Sequence, residues 1–224
     1  MRSVYLLICS LGIVCTSFCQ NQVGIFAGPQ ATRTLYTILN QKQENEFKYG
    51  FHAGVMMKVP FEGNLYFAPA VFYSMKGYKV NFTSYAFPPD VQATDNNTTI
   101  HTVETAALLQ YDLGKGPSHF FIKAGPSLDF QLFGKEEYNL STGGKVKRTM
   151  KFSYGDYGHF SANMLGQLGY ETVDGFTIFA NYTHGMASIN NADGGPKIRH
   201  RVFSISIGKY FNRKKIIIDT RNKE

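Results

Sequence analysis

The sequence has no tryptophan and only three cysteines, all of which lie near the N-terminus at Cys9, Cys15 and Cys19. If that segment is removed during export, the mature chain carries no thiol. This excludes disulfide bonds, thiolate metal sites and a cysteine nucleophile. The mature domain must then be stabilised by burial of apolar side chains in a core or in lipid.

Long apolar runs are also scarce. The one clear run, Val4–Val14, follows Arg2 and precedes small residues, an order typical of a secretory signal peptide. It is shorter than the ~20 residues that a membrane-spanning helix needs. We therefore predict three segments: a signal peptide over residues 1–19, one domain over 20–211 and a basic periplasmic tail over 212–224.

Helical periodicity is almost absent, and stretches rich in Tyr, Phe, Val, Ile and Thr alternate with Gly, Asn, Asp and Pro. Short connections alternate with long ones, which is how outer-membrane barrels are built. We predict an all-β fold, an eight-stranded antiparallel up-and-down transmembrane β-barrel in the outer membrane. The predicted strands are 23–34, 47–59, 64–80, 98–113, 119–133, 156–170, 175–188 and 199–211. The short turns are 60–63, 114–118 and 171–174, and the long loops are 35–46, 81–97, 134–155 and 189–198.

Within the strands one face is apolar and carries no charge for about ten residues, the length that a tilted strand needs to cross hydrocarbon. In the fifth strand Phe120, Ile122 and Leu128 share this face, whereas Lys123 and Asp129 lie on the other. We predict that the apolar face contacts lipid. Aromatic residues near the strand ends predict interfacial girdles: Tyr111, Phe176, Tyr210 and Phe211 on the turn side, and Tyr49, Tyr78, Tyr157 and Tyr182 on the loop side.

The opposite face holds polar residues that would fill the barrel. An eight-stranded barrel is only just wide enough for side chains, and an unpaired buried charge is costly. We predict an interior polar network of Lys76, Glu104, Asp112, Lys123 and Asp129. Glu104 and Asp129 could also form an acid/base pair, but a filled barrel offers no substrate pocket. The sequence therefore predicts a structural network and no enzyme.

Two alternatives remain open. His159 and Ser161, both predicted on the inner face, would suit a lipid-modifying barrel enzyme, although the GxSxG motif is absent. A soluble lipocalin-like binder would turn the apolar face inward around a hydrophobic ligand, and the period of two alone does not decide between inside and outside. The remaining histidines lack metal-ligand spacing. We predict no catalytic residue, no metal and no cofactor.

The formal net charge is +7, which in an exported protein favours acidic surface partners over nucleic acid. Basic residues in the third long loop and at the start of the last strand would lie where lipopolysaccharide carries phosphates and sugar acids, which they can bind. A merely solvated basic loop is the alternative. The predicted partners of the monomer are outer-membrane lipid, lipopolysaccharide and an unidentified protein. The candidate binding residues are Lys145, Lys147, Arg148, Lys151, Lys197, Arg199 and Arg201.

Three segments carry a family resemblance. Leu65–Lys79 (LYFAPAVFYSMKGYK) contains an aromatic-Ser-x-Lys-Gly pattern, and Val103–Leu113 (VETAALLQYDL) precedes Phe120–Asp129 (FFIKAGPSLD). With these segments the chain resembles the PorT-like outer-membrane β-barrel family of Gram-negative bacteria. The resemblance implies a signal peptide and one barrel from Val23 to Phe211. We predict a structural, accessory or surface-interaction role, in contact with lipopolysaccharide or with a secretion-related assembly. The resemblance does not carry a secretion role to this chain. It supplies no catalytic residues.

Overall fold

The computed structural model describes residues 21–84, 87–114 and 116–211, so the predicted signal peptide and tail lie outside the described residues. Within these ranges no helix is long and apolar enough to cross a membrane. The strands are β1 (Gln22–Ile38), β2 (Gln41–Lys42), β3 (Glu44–Glu46), β4 (Lys48–Glu62), β5 (Leu65–Phe67), β6 (Ala70–Asn81), β7 (Asp95–Ala106), β8 (Leu109–Leu113), β9 (His119–Asn139), β10 (Lys145–Thr149), β11 (Phe160–Glu171), β12 (Phe176–Gly185) and β13 (Lys197–Tyr210).

The strands close into a ring of eight positions in which every neighbouring pair is antiparallel. The ring is sealed where β1 pairs with β13, from Gly24 opposite Tyr210 to Thr37 opposite Lys197. β5 and β6 share the third position, where Pro69 interrupts the strand because proline donates no ladder hydrogen bond. β7 and β8 share the fourth position. The predicted all-β, eight-stranded up-and-down barrel is confirmed.

Tight turns join the strands at one end, which we call the turn end. Gly63 and Gly175 adopt φ values of +56° and +80° there, in a region that glycine enters without steric cost. The other end, the loop end, carries the long connections. The strands extend further toward it than predicted: β1 continues to Ile38 and β9 to Asn139, because ladder pairing persists beyond the apolar segments. Residues 156–159, predicted as strand, lie before β11 begins.

The outer wall carries an exposed apolar belt, and the predicted face alternation is confirmed. On β13 Phe203, Ile205 and Ile207 are 48%, 59% and 64% exposed, while Val202 and Ser206 between them are buried. An apolar belt around the barrel is stable in hydrocarbon, and a closed barrel leaves no strand edge there unpaired. The girdle prediction is partly wrong. The strand alternation places Tyr78 and Tyr210 inside the barrel, and Tyr157, which precedes β11, is buried in an apolar cluster at the loop end.

Candidate functional site

The centre of the barrel holds three charged side chains, Lys76, Glu104 and Asp129, which we call the central triad. Lys76 Nζ lies 2.8 Å from Glu104 Oε2 and 2.7 Å from Asp129 Oδ1, and all three residues are buried. Glu104 on β7 is directly opposite Asp129 on β9. Ser127 donates to Glu104, and Asn163 donates to Asp129 at 3.0 Å. These bonds give the buried charges the partners that burial requires.

A second group of charges, the inner cluster, lies near the turn end and consists of Lys58, Asp112, His119 and Glu171. Lys58 Nζ is 2.7 Å from Asp112 Oδ2 and 2.9 Å from Glu171 Oε2, and His119 Nε2 is 2.9 Å from Asp112. An apolar layer that includes Phe26, Phe72, Phe121, Leu165 and Phe179 separates this cluster from the central triad. The predicted interior network is therefore divided, with Asp112 apart from Glu104 and Asp129.

Lys123 belongs to neither group. Its ammonium lies 4.8 Å from the centre of the Phe121 ring and 5.6 Å from that of Phe179, and it donates to Tyr210 Oη at 3.2 Å. No ion pair in the described part of the chain includes Lys123. Cation–π contacts and one hydroxyl thus hold a buried ammonium that the sequence placed in the carboxylate network.

The middle of the barrel around the central triad has little open volume. The cavity beside Gln30, His52, Lys76 and Asn181 measures about 10 Å³, which is about the room of one water molecule. No group of three or more His, Cys, Asp or Glu side chains in the described ranges is arranged to hold a metal ion. The middle of the described lumen is therefore filled by side chains.

At the loop end, Glu136 forms the centre of a mouth cluster with Asn96, Arg148, Asp156 and Tyr157. Glu136 is fully buried and accepts bonds from Asn96 Nδ2 at 3.0 Å, Arg148 Nε at 2.7 Å and Tyr157 Oη at 2.5 Å. Burial raises the pKa of Asp156, which lies 3.8 Å from Arg148. Tyr157 also packs into an apolar layer inside the mouth. The third long loop is thereby folded over the barrel opening.

Sequence reasoning missed Glu136 because it assigned residues 134–155 to a loop. The ladder between β7 and β9 contains a bulge, which leaves Leu132 and Phe133 both exposed. One extra residue reverses the facing of every residue that follows. Glu136 consequently turns inward. The signal available in the sequence was the adjacent pair of apolar residues where a strict alternation would have had one.

Three of the third-loop basic residues form ion pairs with carboxylates. Lys145 and Lys147 on β10 lie 2.7 Å and 2.9 Å from the carboxylate of Glu137 on the paired strand β9. Their hydrogen bonds lower the pKa of the Glu137 carboxyl to about 2. Arg148 is bound to Glu136 at 2.7 Å. Of the four predicted binding residues in this loop, only the exposed Lys151 forms no ion pair with a described residue.

The basic residues of the last strand are arranged differently. Lys197, Arg199 and Arg201 alternate along β13 on the face that carries Phe203, Ile205 and Ile207 nearer the turn end. Arg33 on β1 lies directly opposite Arg201, and it was not among the predicted binding residues. None of these cations takes part in an ion pair within the described ranges. We call Arg33, Lys197, Arg199 and Arg201 the basic stripe.

The predicted pairing of His159 with Ser161 on the inner face is wrong. Ser161 is buried inside the barrel opposite Asp129, whereas the exposed His159 precedes β11 and stacks on the outward ring of Phe130. Since β11 begins at Phe160, the alternation of that strand does not govern His159. The two side chains therefore do not form a nucleophile–base pair.

A closed barrel with an apolar outer belt and a filled, polar interior defines the class of small outer-membrane barrels. The chain belongs to the family described as outer membrane protein β-barrel domain, whose model matches residues 18–191. The chain is therefore an outer-membrane protein. A search of curated proteins gives no match.

Two solved structures of low sequence identity are among those similar to this chain. The outer membrane protein OprG from Pseudomonas aeruginosa superposes with a TM-score of 0.51 at 12% identity, covering 86% of this chain and 96% of that chain. The attachment invasion locus protein Ail of Yersinia pestis gives a TM-score of 0.45 at 11% identity, covering 86% of this chain and 99% of that chain. At 12% identity the likeness to OprG concerns the fold alone.

Proposed function

We propose that the protein is a closed outer-membrane barrel that conducts no solutes and contacts the anionic groups of lipopolysaccharide through its outward basic residues. The observation that carries this proposal is the basic stripe. Its four cations form no ion pair within the described ranges and follow directly on the apolar belt. Arginine and lysine in such a position match the phosphates and sugar acids that lie beyond the hydrocarbon.

The filled interior supports the non-conducting part of the proposal. Lys76 and Lys58 each contact two carboxylates across the lumen, and apolar layers lie between and above these clusters. Moving a solute through the barrel would require these buried ion pairs to separate, which is strongly unfavourable. A transport role would need a path that the described side chains fill.

The rival functions find less support. A soluble lipocalin-like binder needs its apolar face inside, whereas Phe120, Ile205 and Ile207 project outward and the central triad points inward. A lipid-modifying enzyme based on His159 and Ser161 needs both side chains on one face, and they lie on opposite faces.

The proposal includes a PorT-like character for the barrel. The aromatic-Ser-x-Lys-Gly pattern occupies Tyr73–Gly77, and it has an architectural use in this chain. Ser74 exchanges hydrogen bonds with Gln30, and Lys76 forms the centre of the central triad. This pattern supports a barrel interior similar to that of the PorT-like family. We assign no residue to the secretion-related role that the proposal also includes.

Two measurements test the function on the folded protein. In planar bilayers we expect no stepwise conductance. In nanodiscs we expect lipopolysaccharide to bind, and to bind more weakly as salt rises, because exposed charges are screened beyond ~8 Å at physiological ionic strength. Nanodiscs with zwitterionic phospholipid alone serve as the control. Defined single-channel currents, or no preference for lipopolysaccharide, would overturn the proposal.

A further inference from the structure

The strongest unassigned feature is a pair of arginines placed side by side on the outer wall. Arg33 and Arg201 are directly opposite across the β1–β13 ladder, and both point outward. Like charges in such cross-strand positions repel each other and destabilise a sheet. A bound anion would convert this repulsion into attraction, since one phosphate can accept hydrogen bonds from both guanidinium groups.

Neighbouring side chains contact each guanidinium through only some of its N–H groups. Arg33 Nε donates to Asn45 Oδ1 at 2.9 Å, and its guanidinium lies 5.7 Å from the Phe47 ring centre. Arg201 Nη1 lies 2.8 Å from Tyr182 Oη and 3.0 Å from His184 Nδ1. A guanidinium has five N–H donors, so each arginine keeps donors for a ligand. The neighbours therefore orient both groups without neutralising them.

The height of the pair on the barrel indicates which anion it meets. Arg201 is two residues beyond Phe203, which lies 4.9 Å from the Tyr182 ring and 6.3 Å from the Phe47 ring between centres. These rings form an aromatic edge to the belt, and such girdles mark the headgroup level of membrane barrels. Below them the exposed Ile205 and Ile207 continue the apolar surface. A ligand here can place acyl chains on the belt and an anionic headgroup on the arginines.

We propose that Arg33 and Arg201 form a binding site for one phosphate of a phosphorylated glycolipid in the outer leaflet. Arg199 and Lys197, one and two steps further along the same face of β13, contribute charge toward the sugar headgroup. This site rests on the proposed function and specifies it. The apolar surface directly below the pair favours a lipid phosphate over a soluble anion, which would gain nothing from the belt.

The test measures binding of lipid A, the phosphorylated glycolipid anchor of lipopolysaccharide, to the full barrel in nanodiscs. We expect the double variant Arg33→Gln/Arg201→Gln to bind about tenfold or more weakly, because charge-assisted hydrogen bonds are lost. The matched control, Lys145→Gln/Lys147→Gln, removes the same charge from residues that already pair with Glu137, and should change binding less than about twofold. A shift of gel mobility on boiling verifies that each variant is folded.

Two further arms separate the possible failures. Arg33→Lys/Arg201→Lys keeps the charge but removes the planar fork, and should recover only part of the lost affinity. Lipid A without phosphate should bind wild type and the Gln double variant equally. If wild type binds lipid A and both double Gln variants weaken it equally, the site is wrong and the proposed function stands. If wild type shows no preference for lipid A, both fail. In detergent that contains no other lipid, inorganic phosphate at the same concentration as lipid A should not displace lipid A from the barrel. Such displacement would overturn the lipid assignment.

Discussion

The charges inside the barrel and those on its outer wall are arranged in opposite ways. Inside, Lys76 contacts Glu104 and Asp129, and Lys58 contacts Asp112 and Glu171. On the wall, the basic stripe has no described carboxylate within ion-pair distance. Burial explains the difference, since an unpaired charge is costly in a low dielectric but is tolerated where water or a ligand reaches it. Interior charges therefore report on stability, and outer-wall charges report on binding.

The sharpest test of this division is Lys76→Met. The variant leaves Glu104 and Asp129 buried without their ammonium partner, and we expect a loss of about 3–5 kcal/mol in the free energy of unfolding. Urea titration of the folded barrel in lipid vesicles, followed by gel mobility without boiling, measures the loss. Lys42→Met, on the exposed strand β2, is the control and should change stability by less than ~0.5 kcal/mol.

Lipid A binding by Lys76→Met should match wild type under conditions in which the variant stays folded. An equal stability for Lys76→Met and Lys42→Met would show that the central triad is not a stabilising contact. It would also remove the contrast between the inside and the outer wall.

A smaller effect is expected at the mouth, where interior and surface meet. Glu136→Gln removes the carboxylate that Arg148 Nε contacts at 2.7 Å and leaves Arg148 only the more distant Asp156, at 3.8 Å. Loss of a hydrogen bond to a charged group costs about 1.5–3 kcal/mol. Because Glu136 binds Arg148 of the third long loop, the loss of stability should be greatest in that loop. We expect trypsin to cleave after Lys151 faster in Glu136→Gln than in wild type. Glu62→Gln, exposed at the turn end, is the control, and equal cleavage of the two variants would contradict the role of Glu136.

Much of this arrangement followed from the sequence. The alternation along residues 120–132 fixes which side chains enter the lumen, because the side-chain period of a strand is two. The sorting of short turns and long loops fixes the antiparallel order. Lys76, Glu104 and Asp129 were therefore predicted as interior residues, and the structure places all three there.

The remainder depends on long-range register. Arg33 meets Arg201 only because the first and last strands close the ring, and their relative stagger is set by the shear of the whole barrel. Asp112 and Glu104, predicted in one network, are separated for a different reason: they share one strand position, and the rise of about 3.3 Å per residue along it places them at different heights. A single bulge near Leu132 moved Glu136 inside. Local patterns do not encode stagger or bulges strongly enough to place these contacts.

A further prediction sharpens the comparison within the interior itself. Lys123 is a buried ammonium with aromatic neighbours and one hydroxyl partner, in contrast to Lys76. Replacing it with methionine removes a desolvated charge and leaves no described carboxylate without an ion-pair partner, so we expect stability to stay constant or rise by about 1 kcal/mol. The same urea titration measures it. A loss as large as that of Lys76→Met would mean that Lys123 neutralises the inner cluster from a distance.

The smallest expected effect concerns the neutralised lysines of β10. The hydrogen bonds of Lys145 and Lys147 lower the pKa of Glu137 from 4.5 to about 2. A lowered carboxyl pKa means that the stabilisation is present above pH 4.5 and is lost as the pH falls toward 2. The carboxyl carbon shift of Glu137, followed by NMR from pH 6 to pH 1.5, should titrate near the lower value. In Lys145→Gln/Lys147→Gln its midpoint should return toward 4.5. An unchanged midpoint would mean that these lysines do not neutralise Glu137, and would make them as available to an anionic lipid as the basic stripe.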